Sequence, residues 1–322
     1  MRFRPFPKLG EHPPAHAPGG TYRALEKIHG AQLVLGLPAG GDRRGGLRVG
    51  KRKAWLGDDE PFFGWQLLRV ELAEAAHEMR RQVGPESLGG RDLVAYCELF
   101  GGGYPHPDVP ARRVHAPVQT GVWYSPGAHV AAFAILLAEP GAADGELLAP
   151  SETAGIAARS GLLSPPVVGT GTRAAMSALP VRRPTAVPAA LGLPPVEGNI
   201  AEGHVLWPDR RSTLSSLAAS KYKIPEMAES RFDESAPHDP GRVMAAPGLL
   251  GLVPSLVNPA RIASAASKTG RHDRAALLEE VVLDVLADLE SALPATIKAL
   301  RPEELDALIR RIDAQALTVD QG

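Results

Sequence analysis

Eight lysines are spread along this chain, at Lys8, Lys27, Lys51, Lys53, Lys221, Lys223, Lys268 and Lys298, and arginine supplies the remaining cations. An arginine stays charged, whereas a lysine amine can lose its proton and act as a nucleophile. Lys27 lies in "LEKIHGAQLVL", one residue from His29 and followed by Gly30. In an extended segment that separation places both side chains on one face. An ammonium on a core-facing surface needs a partner, and on a solvated surface it needs none; both readings stay open at this point. Glu98 stands in "CELFGGG", within an apolar run that leads into glycines, and Glu202 in "AEGHVLWP", beside a glycine with an apolar strand following. Lys221 and Lys223 in "SKYK" share one face of a strand, where solvated edge lysines are the plain alternative. Singly these are weak signals. Their order is more informative: a lone lysine, two carboxylates, then a lysine pair.

The elements that must carry these residues are readable in outline. Gln32 to Val49 reads as strand, glycine-rich turn, strand. "PFFGWQLLRVELAEAAHEMRRQ" changes to helical spacing, with Leu68, Leu72, Ala75, Ala76 and Met79 on one stripe. "DLVAYCELFGGG" and "HVAAFAILLA" read as buried strands, and "AEGHVLWP" and "AASKYKIPEMAE" as two more. Between Pro140 and Pro195, richness in Ala, Pro and Gly suggests helical fragments and loops. Beyond about Phe232 the texture turns helical, and "RPEELDALIRRID" has Pro302 near the first turn of a final helix. A mixed domain over residues 1–235 and a smaller helical domain over 236–322 are expected.

The totals narrow the class. A chain of 322 residues with 44% hydrophobic and 22% charged residues has the composition of a soluble globular protein. Cys97 is the only cysteine, which excludes an intrachain disulfide and a thiolate metal cage. The N-terminal residues lack the continuous apolar region of a secretory signal, and no apolar run is long enough to span a bilayer. A cytoplasmic protein without membrane partners is therefore expected. A net charge of −1 and a pI near 6.8 give no bulk attraction to nucleic acid, so a polyanion would need local basic patches. Arg112, Arg113, Arg182, Arg183, Arg210 and Arg211 offer such pairs, and equally serve as solubilising loop charges.

Taken in order, the motifs resemble those of the covalent nucleotidyltransferase superfamily of ligases and capping enzymes, and within it the RNA ligase 2-type family. "EKIHG" is similar to that family's nucleotidyl-lysine motif, with histidine where DNA ligases and capping enzymes usually have aspartate. "GKRKAWLGDDEPFFGW", "CELFGGG", "HVAAFAI", "EGHVLWP" and "KYK" resemble the motifs that follow, and "SLVNPARIASAASKTG" the start of the family's helical C-terminal domain. The implied fold class is α+β: an ATP-grasp-like nucleotidyltransferase domain of antiparallel sheets flanked by helices, then the small all-helical domain.

The resemblance also implies roles. Lys27 would attack the α-phosphate of ATP and hold AMP as a phosphoramidate. Arg52 and Glu98 would bind the ribose, Phe133 would stack on adenine, and main-chain groups at Glu26 and Ile28 would read the adenine edge. Glu202 would engage Mg²⁺ or Mn²⁺, Lys221 and Lys223 would contact the α-phosphate, and His29 would act near the leaving pyrophosphate or the RNA ends. Cations near Lys27 would lower its pKa and neutralise charge building on the phosphoryl oxygens. A single carboxylate completed by water and phosphate oxygens suits Mg²⁺. The implied activity is sealing of 3′-OH and 5′-phosphate RNA ends in a nicked or bridged duplex. Two departures stand out: Trp207 where the family commonly has lysine, and Ala134 where it commonly has aspartate. Phe62 and Trp123 compete with Phe133 for stacking, and Glu197 with Glu202. A degenerate nucleotide-binding member without sealing activity, or a DNA ligase or capping enzyme, is the alternative; the helical tail disfavours the latter two. His106, His115 and His129 lack the spacing of zinc ligands.

Overall fold

The computed structural model describes residues 1–14, 17–40, 46–110, 118–119, 121–227, 243–257, 259–269 and 273–320. Eleven strands occur among them: β1 (Thr21–Glu26), β2 (Ala31–Leu37), β3 (Arg48–Lys51), β4 (Ala54–Trp55), β5 (Asp92–Gly103), β6 (Ser125–Ala138), β7 (Glu146–Leu147), β8 (Val167–Thr172), β9 (Gly203–Pro208), β10 (Ser212–Thr213) and β11 (Ser220–Lys223). The helices are α1 (Arg69–Val83), α2 (Pro85–Leu88), α3 (Pro150–Arg159), α4 (Arg173–Ser177), α5 (Val187–Ala190), α6 (Ala246–Leu250), α7 (Val253–Leu256), α8 (Pro259–Thr269), α9 (Arg274–Ala292), α10 (Pro294–Ala299) and α11 (Pro302–Asp320). The expected α+β class, with antiparallel sheets and a helical C-terminal region, is what the chain adopts. No helix among the described residues is long and apolar enough to cross a membrane.

The described residues form two compact units. The first holds Met1–Leu56, Ala75–Val109 and the described residues from 118 to 227. In it a seven-stranded antiparallel sheet, ordered β10-β7-β6-β5-β2-β3-β4, accompanies a four-stranded one ordered β11-β9-β1-β8. β5 and β6 pair along their length; β5 is buried almost throughout and β6 from Val130 on except at Phe133, which is why both read as apolar runs. The two sheets meet across a cluster in which Val34, Val94, Tyr96, Ala134 and Leu136 of the larger sheet pack with Trp207 and Val205 of β9. β8 departs from the loop-and-helix expectation for residues 140–195. It is an edge strand pairing only with β1, and its glycines disguise the β-branched pattern.

The N-terminal residues are structural. Arg4 is buried, paired with Asp92 at 3.1 Å and donating to the carbonyls of Glu139 and Ala142. The Tyr96 hydroxyl donates to the Arg4 carbonyl at 2.9 Å, and Phe6 packs on Tyr96, Phe133 and Trp207 at ring separations of 5.0, 5.1 and 5.9 Å. The main-chain N–H of Lys221 donates to the Gly10 carbonyl at 2.9 Å, so this segment also borders β11.

The second unit takes in Gly57–Glu74, Pro110 and the described residues from 243 on. Its core runs through Leu252, Leu256, Leu277, Val281, Val285, Leu289, Leu308 and Ile312, with Leu67 packed against it. That contact is why residues 57–74, expected in the first domain, group with the helices; the expected boundary at 235 lies outside the described residues. Arg261 and Asp288 form a buried ion pair at 2.6 Å in this unit. Burial raises the Asp288 carboxyl above its ordinary range, against the pull of Arg261. Removing one partner of a buried pair costs about 3–5 kcal/mol because the other charge stays uncompensated. Arg261→Met is expected to lower the thermal unfolding midpoint of the helical unit clearly, and an unchanged melting curve would contradict this account of its core.

Candidate active site

Lys27 does not lie in a strand. β1 ends at Glu26 and β2 begins at Ala31, so residues 27–30 form the crossover from the smaller sheet to the larger. Strand alternation therefore does not explain the shared direction of Lys27 and His29; a common partner does. Lys27 Nζ lies 2.7 Å from Glu202 Oε2, and His29 Nδ1 lies 3.6 Å from the same oxygen. Lys223 Nζ reaches the other oxygen, Oε1, at 2.9 Å. Glu202 is 1% exposed, so this carboxylate is a buried counter-ion shared by two ammonium groups. Burial by itself would raise its pKa, but Lys27, the His29 hydrogen bond and Lys223 outweigh it and hold the carboxyl at about 2.

The strands converge on this point for steric reasons. Lys27 donates its main-chain N–H to the Gly203 carbonyl at 3.0 Å, while Lys223 pairs with Gly203 from β11. A Cβ at Gly203 would lie 1.9 Å from the Tyr222 carbonyl oxygen, so only glycine lets β9 pass between the two lysines. At Gly30 a Cβ would lie 2.2 Å from the Leu99 carbonyl oxygen and 3.0 Å from Glu98 Cγ. The glycines of both motifs are thus close-approach positions. The second also puts Glu98 against the lysine loop.

The remaining expected residues take definite places. Gln32 pairs with Glu98, and Leu33 pairs with Lys51 on the other side, so the β3–β4 turn carrying Arg52 lies at the same end of the sheet as Glu98. Arg52 is exposed there. Phe133 occupies the extra residue of β6, between the pairs Tyr96–Ala134 and Cys97–Ala132, and is partly buried in the inter-sheet cluster with Val205. Lys221 is buried in β11 opposite Val205. Ile28 packs among Phe100, Tyr124 and Ile224. The Glu26 main-chain N–H already donates to the Pro166 carbonyl at 2.8 Å. Its carboxylate accepts from the Thr185 hydroxyl and from the Ala186 N–H at 2.8 Å, and burial raises its pKa against those bonds. Glu197 is exposed in a turn, which leaves Glu202 as the carboxylate at the lysines.

The two departures from the family pattern are packing features. Trp207 is 3% exposed and buried against Phe6, while Ala134 is buried opposite Tyr96, where a carboxylate would stand among apolar side chains. Three supporting residues were not singled out in the sequence. Phe6 lies far from the motifs, Tyr124 lies between the Glu98 and Phe133 motifs, and His204 follows Gly203. His204 is buried and stacked on Tyr222 at 5.0 Å, and burial beside Arg183 lowers its pKa to about 4. Its only sequence signal is a polar residue inside an apolar run. Of the arginine pairs, Arg211 is engaged by Glu152 at 2.6 Å and by Glu146, and Arg112 and Arg113 lie outside the described residues. Among the described residues no group of three His, Cys, Asp or Glu side chains could hold a metal ion, so a divalent cation here would rest on Glu202 with water and phosphate oxygens, a donor set that Mg²⁺ or Mn²⁺ accepts.

The family described as RNA ligase matches residues 20–223, and the chain belongs to it. The mitochondrial RNA-editing ligase 2 of Trypanosoma brucei brucei is 32% identical over 200 residues, 57% of this chain and 47% of that protein. The mitochondrial RNA-editing ligase 1 of the same organism is 32% identical over 211 residues, 58% of this chain and 45% of that protein. The chain thus spans about half the length of the relatives it matches. Among solved structures, an archaeal ATP-dependent RNA ligase covers 99% of this chain and 66% of its own at 14% identity and a TM-score of 0.42. A Naegleria gruberi RNA ligase solved with ATP and Mn covers 67% and 53% at 13% identity and a TM-score of 0.40.

A carboxyl held at about 2, against an ordinary 4.5, adds stability that is fully present above 4.5 and is lost as pH falls toward 2. Unfolding midpoints followed across that range are expected to fall less steeply in Glu202→Gln than in the wild type. At neutral pH the variant should already be weaker by about 3 kcal/mol, because two ammonium groups lose their anion. Equal acid sensitivity of the two proteins would contradict the assignment.

Proposed function

We propose that the chain is an ATP-dependent RNA ligase that works through a lysyl-AMP intermediate on Lys27. The observation that carries this reading is the Glu202 carboxylate bridging Lys27 and Lys223 at 2.7 and 2.9 Å, inside the segment matched by the RNA ligase family. In the first step Lys27 Nζ bonds to the α-phosphorus of ATP, the bond to pyrophosphate breaks, and the amine gives up its proton. In the second, a 5′-phosphate oxygen of RNA takes AMP from Lys27; in the third, a 3′-OH attacks that 5′-phosphate and AMP leaves. The ion pair with Glu202 favours the charged, non-nucleophilic lysine in the resting protein. Glu202 is also the residue that would hold a divalent cation, which when bound supplies positive charge to the phosphoryl oxygens. Once Glu202 is engaged elsewhere, Lys27 is released toward its neutral form beside Lys223.

Lys221 and Lys223 would face the α-phosphate, Arg52 and Glu98 the ribose, and Phe133 with Val205 the adenine. His29 would act near the pyrophosphate or the RNA ends, and the Glu26–Ile28 main chain near the adenine edge. We further propose residues 1–235 as the adenylyltransferase domain and 236–322 as a helical domain serving RNA, with a nicked or bridged duplex as substrate and the cytoplasm as location. Trp207 and Ala134 are what a degenerate member would rest on; the presence of Lys27, Glu98, Glu202, Lys221 and Lys223 together favours an intact site.

Incubation with α-labelled ATP and Mg²⁺ is expected to label the wild-type protein, with Lys27→Ala unlabelled and Lys223→Ala slowed by about 100-fold, a magnitude typical of losing one transition-state charge contact. The labelled enzyme should then seal a nicked duplex with an RNA 3′-OH end. Absence of label on the wild type, or labelling of Lys27→Ala at the wild-type rate, would overturn the reading; labelling without joining on any RNA would favour the degenerate alternative.

A further inference from the structure

The crossover that carries the nucleophile is four residues long and joins two different sheets. It has no strand or helix hydrogen bonding of its own. Lys27 is anchored on the side of the smaller sheet through the Gly203 carbonyl. On the side of the larger sheet the main-chain N–H of His29 donates to the Tyr124 hydroxyl at 2.8 Å. Tyr124 stands immediately before β6 and is 2% exposed. Its ring packs edge-on to Phe100 at 5.3 Å, in the apolar cluster that also receives Ile28. The hydroxyl therefore sits on a side chain locked by packing, and meets a buried donor of the lysine loop.

We propose that Tyr124 is a positioning residue for the nucleophile: by holding the His29 main-chain N–H it fixes the 27–30 crossover so that Lys27 and His29 converge on Glu202. The inference rests on the function proposed above for Lys27, and it adds a residue whose side chain need touch neither ATP nor RNA. The physical case is one of matched anchors. A buried N–H left without an acceptor is costly, so the loop cannot keep this conformation unchanged once the hydroxyl is gone. A displacement on the order of 1 Å in a reacting group is enough to slow a positioned reaction substantially. Loss of the hydroxyl should thus act on the rate of amine attack and spare the affinity for ATP.

Tyr124→Phe removes the hydroxyl and keeps the ring, and Tyr22→Phe is the control. Tyr22 is equally buried and donates its hydroxyl to the Pro18 carbonyl at 2.6 Å, away from the loop. Two readouts are compared in the full chain: single-turnover adenylation with ATP and Mg²⁺, and hydrogen exchange of the 27–30 amides. Tyr124→Phe is expected to slow adenylation about tenfold or more with the ATP KM within twofold, and to accelerate exchange at His29 without change in β2, while Tyr22→Phe does neither. A wild-type adenylation rate in Tyr124→Phe, a loss confined to KM, or an equal loss in Tyr22→Phe would overturn the proposal. If the wild type forms no adduct, the ligase reading fails on its own account. The exchange comparison then decides the clamp: acceleration confined to residues 27–30 supports it, and unchanged exchange overturns it.

Discussion

The structure is organised around one carboxylate with no access to water and two lysines that need it. Taking Glu202 out of solvent is unfavourable unless cations accompany it, and taking Lys223 with it is unfavourable unless an anion does. Neither β9 nor β11 could bury its charge alone. Together with the crossover after β1 they place three ionisable groups within salt-bridge distance where the two sheets adjoin. The geometry leaves no tolerance for side chains at Gly30 or Gly203, so sterics and electrostatics converge on the same few positions. Anything that competes for Glu202 would take the counter-ion from Lys27 and Lys223 together.

The rest of the first unit holds this junction still. The Glu26 carboxylate at the end of β1 accepts from the Thr185 hydroxyl and the Ala186 N–H. Neighbouring residues of "EKIHG" therefore have different partners: Glu26 is held by Thr185 and Ala186, and Lys27 by Glu202. The N-terminal residues supply a second brace. Phe6 fills the space between Phe133 and Trp207, and Gly10 borders β11 at Lys221. Phe6 and Gly10 precede the segment 20–223 that matches the family, and Phe6 packs on Trp207 within it.

Part of this was legible in the sequence, through the order of the motifs rather than through any one of them. The order of the motifs and their resemblance to a family set Glu202, Gly203, Lys221 and Lys223 apart; the structure brings Lys27 and Lys223 onto Glu202 and leaves Lys221 opposite Val205. The long strands β5 and β6 were equally plain, since burial on both faces leaves an unbroken apolar run. What failed did so for physical reasons. Lys27 and His29 read as neighbours on a strand because an apolar run surrounds them, yet the chain changes sheets there. β8 read as loop because its glycines answer to the packing of α4 rather than to alternation. Tyr124, Phe6 and His204 were missed because their partners lie far off in sequence, and no local pattern encodes a hydrogen bond from Tyr124 to His29.

In the proposed function the amine held against Glu202 is the one that becomes bonded to phosphorus. Peptide mapping by mass spectrometry after incubation with ATP and a divalent cation tests it most directly. A single adenylyl adduct is expected, on the peptide carrying Lys27 and on that side chain. An adduct on Lys221, on Lys223 or on any other residue, with Lys27 unmodified, would contradict it.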